Sequence, residues 1–506
     1  MGIVKDKSTL LPVKGAEVKL LKSDVNVKTD KEGKFEIEIT ALSTSHPIDT
    51  LIVSDNRYWP QQVKLQGLDT SNLEIKLNAA KHRLIVTSDL GGADPDDEQS
   101  MVHLLLGANE FDLEGLIMGL AWLKADQNQP GIEPLRAIID AYEKVYPNLK
   151  IHANGYPSPG YLRSIVAVGQ TLPNMSGVGA DKTSPGSELI IRVVDNAEDP
   201  RPVWLNAWGG ANTIAQALWT VKQNRSEEEV SRFINKIRIF DILGQDDAGA
   251  WLAKTFPELI YIRTKSIYGW APSDDWISNN VQSHGPMGEV YPNRRWATEG
   301  DSPAFFHLWS NGLNDPDEID QGGWGGRFKT KKEDGIRVMD IAAKTPGLNE
   351  KRYDPYYMFT NTYEGMEAIN RWKQHIHNNL ETRMDWSISV NQEDANHHPV
   401  AFLNGDETMQ ILEIKAAPGS TVALSAAGSS DPDRDSLQYS WSFYDEPSTY
   451  SGLVEIKNRS TSRARINIPE DAGGKYIHII LEVHDNGTPN LFTYRRAIID
   501  VQSINH

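Results

Sequence analysis

The sequence predicts a multi-domain protein: a central α/β domain on a mainly parallel sheet, flanked by an N-terminal and a C-terminal β-sandwich. Three observations carry this reading. Up to about Leu77 apolar and polar residues alternate with period two; between about residues 80 and 385 short apolar runs alternate with helical patterns; from about Asn391 short alternating strands return. Period-two segments bury one face of a strand, whereas strands interleaved with helices imply parallel βαβ units. A chain of 506 residues has room for roughly three domains, with expected limits 1–79, 80–388 and 389–506.

The elements follow in order. Ala16–Leu20, Phe35–Ile39 and Leu73–Leu77 read as strands, with Thr29–Lys34 a tight turn in which Gly33 supplies positive φ. In the middle, Leu84–Thr87 and Leu113–Leu120 read as buried strands, Leu135–Tyr146 as a helix and Ile151–Gly155 as a further strand and turn. Pro202–Ala207 and Ile237–Leu243 repeat the strand theme, and Ser226–Arg232 is the charged, solvated start of a helix. Thr421–Leu424, Gln438–Phe443 and Ile477–Val483 are the strands of the last segment, punctuated by turns at Asp431–Asp435 and Asp485–Pro489. Asp431, Asp433 and Asp435 either cap their own turn or hold a calcium ion, and turn capping is the simpler account.

Composition removes several function classes. With 51 Lys+Arg against 69 Asp+Glu (net −18), the chain lacks the basic surface that a nucleic-acid polymer requires. The absence of cysteine excludes disulfides, thiolate metal sites and thiol nucleophiles. No run of 18 apolar residues occurs, so no transmembrane helix is expected.

The most informative stretch is Thr87-Ser88-Asp89-Leu90-Gly91-Gly92-Ala93-Asp94-Pro95-Asp96-Asp97-Glu98-Gln99-Ser100, five acids between an apolar strand and an apolar helix. Two carboxylates about 4 Å apart repel by roughly 4 kcal/mol at an effective dielectric near 20. Converging acids must therefore take up protons, splay apart or bind a cation, and an oxygen-only set selects a hard ion such as Ca²⁺ or Mg²⁺. Helix capping would account for one of these aspartates and turn chemistry for another.

The stretch resembles the strand-end Asp…Asp-Asp signature of the inosine–uridine-preferring nucleoside hydrolase superfamily. It is similar in particular to a bacterial multi-domain branch often labelled cellulose-binding. Val203–Thr213, Gln245–Gly249, Glu299–Pro303 and Gly322–Arg327 extend that resemblance. The first segment resembles the carboxypeptidase-regulatory-like sandwich, and Ser429–Asp435 resembles polycystic-kidney-disease and cadherin-like repeats of immunoglobulin-like architecture.

The resemblance implies a Ca²⁺ cofactor held by Asp89, Asp97 and Asp301 with the carbonyl of Trp208. It implies hydrolysis at an anomeric carbon, with Asp89 taking a proton from water, Asp96 holding a sugar hydroxyl, and inversion at the sugar carbon. Trp122, Asn206, Gln245, Asp246, Asp247, His284 and Glu299 are the further substrate-binding candidates. The family often places His before the aspartate that matches Asp301, but this chain has Gly300, so Glu299 and His284 are the candidate substitutes. A base as leaving group therefore competes with an O-linked furanoside or oligosaccharide, and Trp270, Trp276, Trp296 and Trp324 would suit a carbohydrate platform. The implied partners are a carbohydrate or nucleoside, with polysaccharide a further candidate. A non-catalytic carbohydrate-binding protein is the competing reading. The start Met1–Asp6 lacks a signal-peptide pattern, yet the company of accessory domains leads us to expect a secreted, periplasmic or cell-surface protein.

Overall fold

A computed structural model describes residues 1–21, 25–37, 50–65, 68, 70–92, 94–119, 131–264, 269–329, 359–360 and 367–503. The first segment forms β1 (Gly2–Asp6), β2 (Glu17–Leu20), β3 (Asn26–Lys28), β4 (Lys34–Phe35), β5 (Thr50–Asp55), β6 (Tyr58–Lys64) and β7 (Leu73–Leu77). They make two sheets, ordered β4-β1-β7 and β3-β2-β5-β6, and share one apolar core that includes Val4, Val18, Leu51 and Ile75. Period-two patterning is visible in β7, where Leu73, Ile75 and Leu77 are buried and Glu74 and Lys76 face solvent.

The central sheet contains β8 (His82–Ser88), β9 (Phe111–Met118), β10 (Val166–Val168), β11 (Val203–Ala207), β12 (Ile237–Asp241), β13 (Ile260–Arg263) and β14 (Phe359–Thr360). Its order is β10-β9-β8-β11-β12-β13-β14, and every pairing is parallel. The chain builds outward from β8 in one direction, then returns to place β11 on the other side of β8. That reversal opens a crevice beyond the carboxyl ends of β8 and β11, where open α/β sheets bind ligands.

Alternate residues of the buried strands face two helical layers. Leu84, Val86, Leu116 and Trp204 pack with α1 (Asp96–Leu106), α2 (Ile132–His152) and the helix Lys373–Ile388. Ile85, Ile117, Val203 and Leu205 pack against the opposite layer of helices. Burying a Val, Leu or Ile side chain contributes about 1.5–3 kcal/mol. The edges of the crevice are therefore set by rigid, two-sided packing.

One expectation is corrected here. Ile151 and His152 continue α2 and do not start a strand. Ile151 is exposed, whereas His152 turns inward to stack on Trp386 and bond to His397 (3.1 Å), so tertiary contacts override the local β pattern.

The last segment forms β15 (Leu412–Ala416), β16 (Thr421–Ser425), β17 (Gln438–Tyr444), β18 (Glu455–Lys457), β19 (Arg463–Asn467), β20 (Tyr476–His484) and β21 (Phe492–Val501). These make a four-stranded sheet, β15-β21-β20-β17, and a three-stranded sheet, β16-β19-β18, around Trp441, Leu424, Ile466 and Ile479. Tyr444, Ile480 and Tyr494 point the other way and join the central core beside Trp324 and Trp372. No helix among the described residues is long and apolar enough to cross a membrane.

Candidate functional site

The acidic loop leaves β8 and folds back on the first turn of α1. The Leu90 N–H donates to Ser88 Oγ (3.0 Å), and the N–H of Gly91, at φ 81°, donates to Glu98 Oε1 (2.8 Å). Ser88 Oγ also bonds to the Asp97 carboxylate. Pro95, at the N-cap of α1, offers no side-chain cap, so the first turn carries Asp96, Asp97 and Glu98 against its exposed N–H groups. Asp89 lies against the turn after β11. A Cβ on Gly209 would come within 2.8 Å of Asp89 Cγ and closer still to Oδ1, so the close approach requires glycine there.

Asp301 reaches the same point from a distant part of the chain. Carboxylate oxygens of Asp96, Asp97 and Asp301 lie within 4.8 Å of one another, and all three residues are buried. Asp301 occupies the N-cap position of the short helix Ser302–Phe306, yet its side chain caps nothing. Its Oδ2 is buried and has no hydrogen-bond partner among the described residues.

Burial, and after it the charges of Asp94 and Asp89, push Asp96 up to about 8. Burial, then Asp89 and Asp96, raise Asp97; burial, then Asp97, Asp96 and Asp89, raise Asp301. Mutual repulsion in a desolvated pocket is the shared cause, and bringing in a positive charge is the direct remedy. The donor set is all oxygen, which fits a hard divalent cation.

The other candidates spread along the same edge and beyond it. Trp208 is fully buried against Phe305, and its carbonyl accepts the Gln245 side-chain amide. Asn206, fully buried on β11, leaves both amide atoms without partners among the described residues. Asp246 caps the helix Asp247–Thr255 by accepting the Ala248 N–H at Oδ1 (2.8 Å), while its Oδ2 is buried without a partner among the described residues; burial, then Asp247, push it up to about 8. Asp247 accepts the Met175 N–H (2.8 Å).

Two candidates point elsewhere. Glu299 is enclosed by His103 Nδ1 (2.7 Å), Tyr291 OH (2.9 Å) and Ser302 Oγ (2.8 Å), which makes it an anchor between α1 and the Asp301 turn. His284 bonds to Ser283 and to Asp385 of the helix Lys373–Ile388, and no hydrogen bond ties it to the acids. Trp122 lies outside the described residues. In the last segment, Asp431 Oδ1 caps the turn by accepting the N–H groups of Asp433 (2.8 Å) and Asp435 (3.0 Å), and the Asp433 carboxylate binds His397.

A family model described as cellulose-binding Sde182, nucleoside hydrolase-like domain, matches residues 83–328, and one described as cellulose-binding protein Sde0182, C-terminal domain, matches 421–501. The solved structure of a nucleoside hydrolase-related protein from Saccharophagus degradans, associated with carbohydrate metabolism, is 52% identical. It covers 83% of this chain and 100% of its own, with a TM-score of 0.79. The chain belongs to this family. A PKD domain of the KIAA 1837 protein is 20% identical over 19% of this chain and 82% of its own, at a TM-score of 0.15 too low to carry an argument. No curated protein matches the sequence.

Asp96, expected from the sequence to be catalytic and to hold a sugar hydroxyl, also brings its carboxyl group together with those of Asp97 and Asp301. Consecutive helical residues normally diverge, so their shared burial at an uncapped first turn is legible only in three dimensions. Asp94 was also overlooked. Its carboxylate accepts the N–H groups of Trp296 (3.4 Å) and Ala297 (3.2 Å), tethering a second loop to the acidic one. The Asp-Pro-Asp-Asp run gave no sign of that partner.

Proposed function

We propose that this protein is a calcium-dependent hydrolase of a glycosidic bond, N- or O-linked and at a furanoside, acting by direct water attack with inversion. The observation that supports this most is the buried meeting of Asp96, Asp97 and Asp301, with an orphaned Asp301 oxygen, at the sheet's switch point. Asp97, Asp301 and Asp89, with the Trp208 carbonyl and the adjacent Asp96, would hold the ion. A bound calcium would neutralise the acids and lower the pKa of an attacking water.

The chain's own groups account for the rest. Asp89, held against Gly209, takes the proton released as water attacks. Asp96 and the unpaired amide of Asn206 hold sugar hydroxyls; buried polar atoms left unmatched cost about 1–3 kcal/mol, so a substrate hydroxyl that pairs with them gains correspondingly. Gln245 and Asp246 extend this polar wall along the carboxyl edge. Attack by one water on the face opposite the leaving group inverts the anomeric centre. The cellulose-binding description of the matching family supports a carbohydrate ligand and a site of action outside the cell or on its surface.

The test uses nitrophenyl ribofuranosides, arabinofuranosides and nucleosides, with calcium or with EDTA. The reading expects calcium-dependent product release that Asp89→Ala abolishes. Saccharide-dependent thermal stabilisation with no product from any of them would replace hydrolysis by binding alone.

A further inference from the structure

We infer that Trp296 forms an aromatic subsite beside the acidic centre, holding a second sugar ring of a neutral oligosaccharide; the inference rests on the proposed carbohydrate reading and extends it from a monosaccharide to a chain. Among the described residues Trp296 is the one exposed tryptophan, at 52% of its surface. Trp270 and Trp324 are buried in the central core, and Trp276 packs beside it. An indole half in water leaves one apolar face bare, whereas the other described tryptophans are buried or half-buried.

Its placement is not incidental. Asp94 fastens the Trp296 and Ala297 amides to the acidic loop, and Asp94 is two residues from Asp96, so the Cα atoms are no more than about 7.6 Å apart. A second strap acts from α1: Gln99 Nε2 donates to the Pro292 carbonyl (2.9 Å), and Gln99 Oε1 accepts the Glu299 N–H (2.9 Å). Both ends of the loop 292–299 are thus fixed to the helix that presents Asp96 and Asp97. The Trp296 backbone is thereby held at the rim of the acidic centre, within reach of a second ring of a saccharide bound there.

The ring's own surroundings select the ligand. The Arg295 guanidinium stacks over it, 4.4 Å from the centroid, and occupies one face. A flipped base is characteristically enclosed between two apolar or aromatic surfaces. A platform with one free face in open water suits a pyranose, whose C–H face lies on the indole while its hydroxyls stay hydrated.

The experiment measures binding by calorimetry, with calcium present, of cellobiose, cellohexaose, inosine and uridine to the full chain and to Trp296→Ala and Trp296→Phe. The expected result is that Trp296→Ala weakens cellobiose and cellohexaose alike about tenfold, leaves inosine and uridine within twofold, and melts within a degree of the parent, while Trp296→Phe recovers most of the affinity. Equal cellohexaose affinity in parent and Trp296→Ala overturns the inference, as does no cellohexaose binding to the parent. A loss confined to the nucleosides also overturns it, since the ring would then hold a base. Trp296-dependent cellohexaose binding, with no product from the furanosides and nucleosides, upholds the subsite while the hydrolytic reading fails.

Discussion

Replacing Asp301 with Asn separates a cation site from a merely buried cluster of acids, because the two accounts predict opposite responses to calcium. The exchange keeps volume and removes one charge. Two ionised carboxylates 4.8 Å apart repel by about 3.5 kcal/mol at an effective dielectric of 20, and Asp301 faces both Asp96 and Asp97 at that distance or less. Proton uptake, expressed in the raised values of all three acids, relieves part of this. The metal-free variant is therefore expected to gain about 1–3 kcal/mol. With calcium at 1,000 times its dissociation constant, the parent gains about 4.1 kcal/mol and the variant gains little. The order of melting temperatures thus reverses: Asp301→Asn melts higher in EDTA and lower in calcium, read by scanning calorimetry on the transition of the central domain. A variant less stable than the parent in EDTA, with an unchanged calcium increment, would refute the reasoning.

Further expectations follow from particular contacts. Gly209→Ala drives a methyl group into the Asp89 carboxylate; we expect a cost of about 1–3 kcal/mol and loss of calcium-dependent product release, measured by urea unfolding and by the nitrophenyl assay. Arg383 is buried and binds Glu110, Asn109 and the Leu106 carbonyl, so Arg383→Met should destabilise by about 1–3 kcal/mol in urea, leaving the buried Leu106 and Asn109 acceptors without this donor. His307 is held by burial at about 4 against 6.5 when unfolded, while donating to the Pro316 carbonyl (2.9 Å). The unfolded chain binds more protons between those values, so stability falls as pH drops from about 6.5 to 4, by about 3 kcal/mol from this residue. His307→Gln should flatten that slope in urea titrations at pH 7 and pH 5; an unchanged slope would contradict it.

The sheet was legible wherever burial is continuous and the run ends in a polar loop. Leu84–Thr87 and Val203–Ala207 are buried on both faces and appear as mainly apolar runs, Asn206 being the polar exception within the second. Val166–Val168 and Ile260–Arg263 escaped notice because three or four residues carry too little periodicity to stand out. The acidic loop announced itself by the density of carboxylates, which is a local property. What stayed hidden depends on contacts across hundreds of residues. Glu299 reads as a free acid in Thr-Glu-Gly-Asp, yet His103, Tyr291 and Ser302 enclose it; Trp296 reads like any loop tryptophan, yet Asp94 fixes its backbone to the acidic loop.

A calcium ion at one point in space, between the four aspartates, is what a catalytic role for them requires. Crystals grown with calcium, measured at a wavelength that enhances its anomalous signal, should show a peak bounded by Asp96, Asp97, Asp301 and Asp89, absent from crystals of Asp301→Asn. A map empty at that point in ample calcium, with the acids holding protons between them, would contradict it.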